Sequence, residues 1–315
     1  MLPLLQQGKL SEIIFVNDHS TDDSVERVQR FAGVRVLQSP QRGAGAARNV
    51  GWRGASADHV WFVDADCVVE PAALELLQQR LADPQVAAVG GSYVNLQPGQ
   101  LVADLIHEEM VARHESMGHD VTFAITANLL CRRAVLEQLG GFDESLRLAQ
   151  DLDLAYRIVS SGSKLAFDDA SRVGHFHETS LLRYCYKQAR QGYWRVHLYA
   201  RHPGRATGDT YSGPADYVQP PLSLLSIAAA GVGLVARTRG LRALCWGLSG
   251  SSAALLLALQ VPRTVELVRR THSLRYLAYM PLATLRAGFR GAGMTAGVAT
   301  LAWQRARALR KPSQG

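Results

Sequence analysis

The sequence predicts an α/β domain whose sheet is parallel at least in its first half, followed by a helical, membrane-associated C-terminal third. Three observations carry that prediction. Short apolar runs alternate with amphipathic stretches through the first two hundred residues, charge divides sharply along the chain, and two long apolar segments follow the division. Of the 315 residues, 47% are hydrophobic. That is more than one small core needs, and it points to one large domain with an appendage.

Strand-like runs fall at residues 13–16, 34–37, 60–63, 86–89 and 123–126, each bounded by polar or Gly/Pro punctuation. Thr21, Asp22, Asp23 and Ser24 offer N-cap chemistry ahead of a helix over 25–31. Pro71 stands where a first helical turn tolerates it, before a helix over 72–81. Strands alternating with helices of this length make a parallel sheet. Cys67, Cys131, Cys185 and Cys245 lie far apart, with no CxxC pair and no Cys/His cluster at zinc spacing. They read as buried reduced thiols of a cytosol-facing domain.

The net charge of +7 conceals an asymmetry. Residues 1–216 carry 21 Lys/Arg against 26 Asp/Glu, whereas residues 217–315 carry 13 against one acid, Glu266. The domain boundary is therefore placed at 216. Basic charge at one end seeks an anionic surface, and the apolar company of these arginines favours phospholipid over nucleic acid. The opening residues, MLPLLQQGKLSE, are too short and too polar for a signal peptide.

Residues 217–236 and 243–261 contain no charge. At ~17–20 residues each they approach the minimum for crossing a bilayer core. Buried core helices are the alternative, but 224–234 and 253–259 show almost no polar face. Arg237, Arg239 and Arg242 in the connector oppose a full hairpin if the α/β domain is cytosolic, while Arg263, Arg269, Arg270 and Arg275 agree with one. A spanning hairpin and an interfacial arrangement both stay open. Residues 276–303 are interrupted by Arg286 and Arg290, which suits a helix lying in the interface, and the basic tail 305–311 suits anionic headgroups.

Candidate chemistry begins with Asp64 and Asp66, which end the apolar run Val60-Trp61-Phe62-Val63. In extended chain they share a side at the strand's C-terminal end, where open α/β sheets bind ligands. A hard divalent ion with phosphate oxygens would relieve their repulsion. A solvated strand end is the bland reading. Asp18 closes the first strand and can accept from a ligand's N–H groups, although turn and N-cap chemistry also explains acids there. In Gly43-Ala44-Gly45-Ala46-Ala47-Arg48-Asn49 small residues open a helix, with Arg48 one turn inside to assist a phosphate; a plain loop is the alternative. Asp151 stands at the start of an amphipathic helix beginning near Gln150, placed for a general base or simply for the helix dipole. His175 and His177 alternate along a strand and offer a third metal ligand, or a hydrogen-bonded core histidine.

The order and separation of these motifs resemble the family 2 glycosyltransferases, over roughly residues 11 to 200. The family's VDDGSTD, ARN, DAD, GGFDE, ED and Q-x-x-R-W-like segments correspond here to VNDHSTDD, GAGAARNVG, DAD, GGFDE, QDLDLAYR and QARQGYW. The resemblance implies a GT-A (Rossmann-like) nucleotide-diphospho-sugar transferase fold ahead of the C-terminal hydrophobic membrane helices. It implies that Asp18 contacts the base of a sugar donor, with Arg48 and Asp64 on the diphosphate side. Asp66, with Asp64 and His175, would hold Mg²⁺ or Mn²⁺. Asp151 would deprotonate the acceptor hydroxyl in an inverting displacement, with Tyr193 and Trp194 flanking the acceptor. A UDP-linked donor, a lipid-linked or cell-envelope glycan acceptor, and an inner-membrane location facing the cytoplasm follow as expectations.

Three departures stand out: Asn17 for an acid, His19 for a glycine, and Gln150 for a glutamate. The resemblance also implies an earlier apolar strand and turn, about 20–30 residues, ahead of 13–16. Two rivals accompany this reading. A nucleotidyltransferase would show a basic Gly-rich N-terminal loop, which is absent here. A non-catalytic membrane-bound sugar- or lipid-binding relative would share the motifs without the activity.

Overall fold

The computed structural model describes residues 1–206 and 208–309. It divides into two compact units, Met1–Leu96 with Arg113–Phe176, and Gln97–Ala112 with His177–Gly315. The division therefore does not follow the charge boundary at 216. The chain leaves the first unit and returns to it, and the amphipathic helix after residue 180 belongs with the apolar helices.

The first unit runs α1 (Leu2–Gln6), β1 (Ile13–Asn17), α2 (Ser24–Gln29), β2 (Val34–Gln38), α3 (Ala44–Gly54), β3 (His59–Phe62), β4 (Cys67–Val69), α4 (Ala73–Leu81) and β5 (Val86–Asn95). Helix α5 (Leu101–Glu115) carries the chain out and back. Then come β6 (Leu129–Arg132), α6 (Arg133–Leu139), α7 (Gln150–Ser160) and β7 (Lys164–His175). Strands β1 and β2 pair in parallel as a two-stranded sheet, and the other five form a mixed sheet of order β3-β6-β5-β7-β4. The parallel expectation holds for β1–β2 and β5–β7, while β3–β6, β5–β6 and β4–β7 are antiparallel.

Period-two alternation sorts the mixed sheet's side chains to two cores. Leu129, Cys131, Leu165 and Phe167 pack with Trp52, Phe142, Leu154 and Ile158 on one face. Leu130 and Ala166 meet Leu74, Leu77 and Leu81 of α4 on the other. The sheet is thus covered on both sides, and only its strand ends are left to host chemistry.

Two strand expectations change. Residues 123–126 are not a strand: a single bridge joins Asp120 to Ala166, a 3₁₀ turn follows at Thr126–Asn128, and pairing begins at Leu129. Phe123 and Ala124 are buried, so apolarity there marked burial rather than a ladder. The third strand ends at Phe62, before the acids, and the Cys67 N–H donates to the Asp64 carbonyl at 3.0 Å. Asp64 and Asp66 therefore sit in a tight turn, where the period-two argument does not apply.

The second unit adds α8 (Leu181–Arg201), α9 (Pro214–Val235), α10 (Arg239–Ala258), α11 (Val261–Thr271) and α12 (Tyr279–Leu309). Helices α8 and α12 touch through backbone: a Cβ on Gly293 would overlap the Ala189 carbonyl. Gly293→Leu is expected to lower the unfolding midpoint in detergent, at a cost of about 1–3 kcal/mol or more. Val298→Leu, at a 57% exposed site of the same helix, should leave the midpoint unchanged.

Helix α9, and the continuous stretch Arg239–Thr271, are long and apolar enough to cross a membrane, and only 28% of each apolar window is buried. Ile227, Leu234 and Leu244 point outward. A buried core helix would not look like this. The interfacial expectation for residues 276–303 rested on arginines that turn out to have protein partners. Arg286 is buried and ion-paired with Glu109, whose carboxylate also accepts from the Tyr279 hydroxyl at 2.7 Å. The Arg290 Nε donates to Gln188 at 2.6 Å. Of the basic tail, Arg305 and Arg307 close α12, while Arg310 and Lys311 lie outside the described residues.

Candidate active site

The site is assembled within the first unit, from the ends of β1 and β3, the start of α3, the start of α7 and the meeting of β4 with β7. Asp18 follows β1, and its Oδ1 accepts the Gly43 N–H at 2.8 Å. That bond ties the end of β1 to the opening of α3. His19 takes a left-handed φ of 58°, a conformation that residues other than glycine adopt only rarely. Asn17, in place of an acid, uses its Oδ1 to accept the Ser20 N–H at 2.9 Å and its amide to bond Gln38 at 2.7 Å.

Two motifs far apart in sequence are locked together by Asn49, which bonds Phe142, 93 positions on. Its amide donates to the Phe142 carbonyl at 2.9 Å and to Glu144 at 2.7 Å. Its Oδ1 accepts from the Phe142 N–H at 2.8 Å and from Trp52 Nε1 at 2.9 Å. Gly141, with φ of 76°, leaves the room: a Cβ there would fall 2.5 Å from Trp52 Nε1. Asn49 is buried, so Asn49→Ala strands several polar groups away from water. We expect a loss of roughly 2–4 kcal/mol in chemical unfolding.

This lock positions α3, and with it Arg48. Arg48 Nη2 bonds Asp64 Oδ1 at 2.8 Å, and its guanidinium lies 5.8 Å from the Phe142 ring centroid. The repulsion expected between Asp64 and Asp66 is thus relieved on Asp64's side by an arginine.

Helix α7 presents two acids that diverge. Asp153 turns inward, buried, and pairs with Arg157 at 2.8 Å; Arg157 also holds the Leu139 and Gly141 carbonyls. Asp151 is instead within electrostatic reach of Arg48 and Asp64. Burial raises its carboxyl above the ordinary range, Arg48 opposes that shift, and Asp64 adds to it.

The remaining cluster forms where β4 lies antiparallel to β7, with Cys67 directly opposite His175. Metal-binding atoms of Asp66, Cys67 and His175 lie within 4.8 Å of one another. Burial, then the carboxylates of Asp66 and Asp64, push the Cys67 thiol up to about 12. Asp64 is not in this cluster. Strand β7 ends at His175, and His177 lies in the second unit, 3.2 Å from His107. The alternating histidines therefore do not act as one pair. Tyr193 and Trp194 are also in the second unit, on α8, in an aromatic group with His197. Cys67, Asn49 and Glu144 were not singled out from sequence. Each carried a signal: Asn49 ends the ARN segment, Glu144 is the last acid of GGFDE, and Cys67 stands immediately after Asp66.

Residues 3–140 match the family model described as "Glycosyl transferase family 2". A pre-mycofactocin glycosyltransferase of Mycobacterium tuberculosis is 29% identical over 221 residues, covering 64% of this chain and 45% of that protein. The O-antigen chain rhamnosyltransferase WbaN of Salmonella anatum is 28% identical over 186 residues, covering 55% of this chain and 58% of that one. The chain thus spans about half the length of these curated relatives. Among solved structures, a mannosyltransferase of Pyrobaculum calidifontis in complex with GDP-Man and Mn²⁺ aligns with a TM-score of 0.56 at 20% identity, over 91% of this chain and 77% of that one. That likeness is one of fold.

Proposed function

We propose that this chain, whose residues 3–140 match the model for glycosyl transferase family 2, transfers a sugar from a nucleoside-diphosphate donor, UDP-linked in our reading, to a hydroxyl acceptor with inversion. The observation that carries this is the convergence of Arg48, Asp64 and Asp151 where the end of β3 meets the starts of α3 and α7, beside a separate Asp66–Cys67–His175 cluster.

In this reading Asp18, anchored by the Gly43 N–H, reads the base. Arg48 answers diphosphate charge from inside α3, and Asp64 holds the guanidinium at that place. Asp66 and His175 would hold Mg²⁺ or Mn²⁺, and their oxygen and nitrogen donors suit such an ion. When bound, the ion offsets charge on the departing diphosphate. Asp151 takes the acceptor proton; its raised pKa brings its basicity nearer to working pH. Tyr193 and Trp194 are assigned to the acceptor.

Outward-facing leucines on α9 and α10 support placement in a bilayer. So does an apolar groove of about 470 Å³ between α9, α10 and α12, lined by Ile227, Leu257 and Phe289. We place the α/β unit on the cytoplasmic face of the inner membrane, with a lipid-linked or cell-envelope glycan as acceptor. The test is a screen of UDP- and GDP-sugars with the purified full chain in detergent, with and without Mn²⁺. Metal-stimulated sugar release or transfer from one donor supports the reading. Binding of donors without any release would mark a non-catalytic sugar-binding protein instead.

A further inference from the structure

We infer that Cys67 is itself a ligand of the metal site, and that its sulfur turns the site toward thiophilic divalent cations such as Zn²⁺ and Co²⁺ and away from Mg²⁺. The inference rests on the metal-site reading above and adds a third, chemically different donor to it.

The geometry comes from strand pairing. Cys67 and His175 are direct cross-strand partners, and such partners project on the same face of a sheet. The turn that ends the DAD segment then brings Asp66 alongside, its Oδ1 3.9 Å from Cys67 Sγ. An oxygen, a sulfur and a nitrogen therefore meet within 4.8 Å. A tetrahedral ion bonding all three at about 2.0–2.3 Å needs them roughly 3.5 Å apart. The site has to close by about an ångström, a shift of the size that rotamer changes of Asp66, Cys67 and His175 would supply on metal binding.

Access separates Cys67 from the other thiols. Cys131, Cys185 and Cys245 are buried, whereas Cys67 is only partly so, and it borders an exposed carboxylate. A thiolate is a poor ligand for Mg²⁺ and a good one for zinc and cobalt. Coordination would release the thiol proton to solvent.

Cobalt reports the sulfur directly. Titrating Co²⁺ into the purified full chain should produce a thiolate-to-cobalt charge-transfer band in the near ultraviolet. Cys67→Ser should abolish that band and weaken Zn²⁺ binding by about 10–100-fold, while Mn²⁺ binding changes little. A parent spectrum without the sulfur band overturns the inference whatever the variant does, as does a Cys67→Ser protein with the parental band. If Mn²⁺ still binds the parent and is lost in Asp66→Ala, only the thiol's role falls and the metal-site reading stands. If neither Mn²⁺ nor Co²⁺ binds the parent, with or without UDP, both fall together.

Discussion

Asp151→Asn is expected to leave sugar-donor binding within a few-fold of the parent and to cut transfer by about 10²–10⁴-fold, the usual contribution of a positioned general base. The exchange removes the proton acceptor while keeping shape and polarity at the start of α7. Its partner acid, Asp153, is ion-paired to Arg157 and buried, so it has no free reach to substitute. Transfer and binding should be measured separately, by product formation and by equilibrium titration with UDP-sugar. Parental transfer in the variant would remove Asp151 from the mechanism.

The same substitution has a stability signature of opposite sign. Burial raises the Asp151 carboxyl in the folded protein, so folding disfavours the charged form. A raised folded-state pKa means that the native protein holds the proton more tightly than the unfolded chain does. Relative to neutral pH, stability associated with this group is present below the ordinary carboxylate pKa and lost as pH rises through the raised value. Asp151→Asn should therefore stabilise the protein at neutral pH. That gain should shrink toward zero as pH falls below the ordinary carboxylate range. Unfolding midpoints at several pH values check this, and a variant less stable than the parent at neutral pH contradicts the assigned cause.

Asp66→Ala is the second large effect. The side chain is exposed and belongs to no ion pair among the described residues, so removing it should cost little stability. Its role in the cluster with Cys67 and His175 predicts a specific loss instead. Mn²⁺-stimulated binding of the sugar donor should fall at least tenfold, while metal-independent binding stays near parental. Asp64→Asn should differ, because Asp64 lies apart from that cluster and holds Arg48 at 2.8 Å. Its substitution should weaken diphosphate binding even without metal. Identical profiles for the two variants would show that the acids of the DAD segment act as one unit.

Local pattern and motif order were enough to read the α/β class, the starts of α3 and α7, the apolar helices and the resemblance to family 2 glycosyltransferases that the match over residues 3–140 repeats. Each depends on spacing along the chain: period two for strands, 3.6 for helices, and long charge-free runs for α9 and α10. The chain could not reveal by spacing which acids face each other. Asp64 and Asp66 are two residues apart, yet a turn sends one to Arg48 and the other to Cys67 and His175. Asp151 and Asp153 are equally close, and helical geometry pairs one with Arg157 and leaves the other near Arg48 and Asp64.

The partners that decide these roles come from far away in sequence. His175 reaches Cys67 only through the β4–β7 ladder, and Arg48 is held in place by Asn49 bonding Phe142 and Glu144. Arg286, which together with Arg290 interrupted an apolar run and suggested an interfacial helix, is buried against Glu109. The sequence by itself determined most of the element types, the membrane-compatible helices and the residue kinds available for chemistry, because those follow from local periodicity and composition. Only the tertiary structure decided which carboxylate is paired, which is buried and which meets a histidine, because desolvation and charge pairing depend on neighbours that folding brings together.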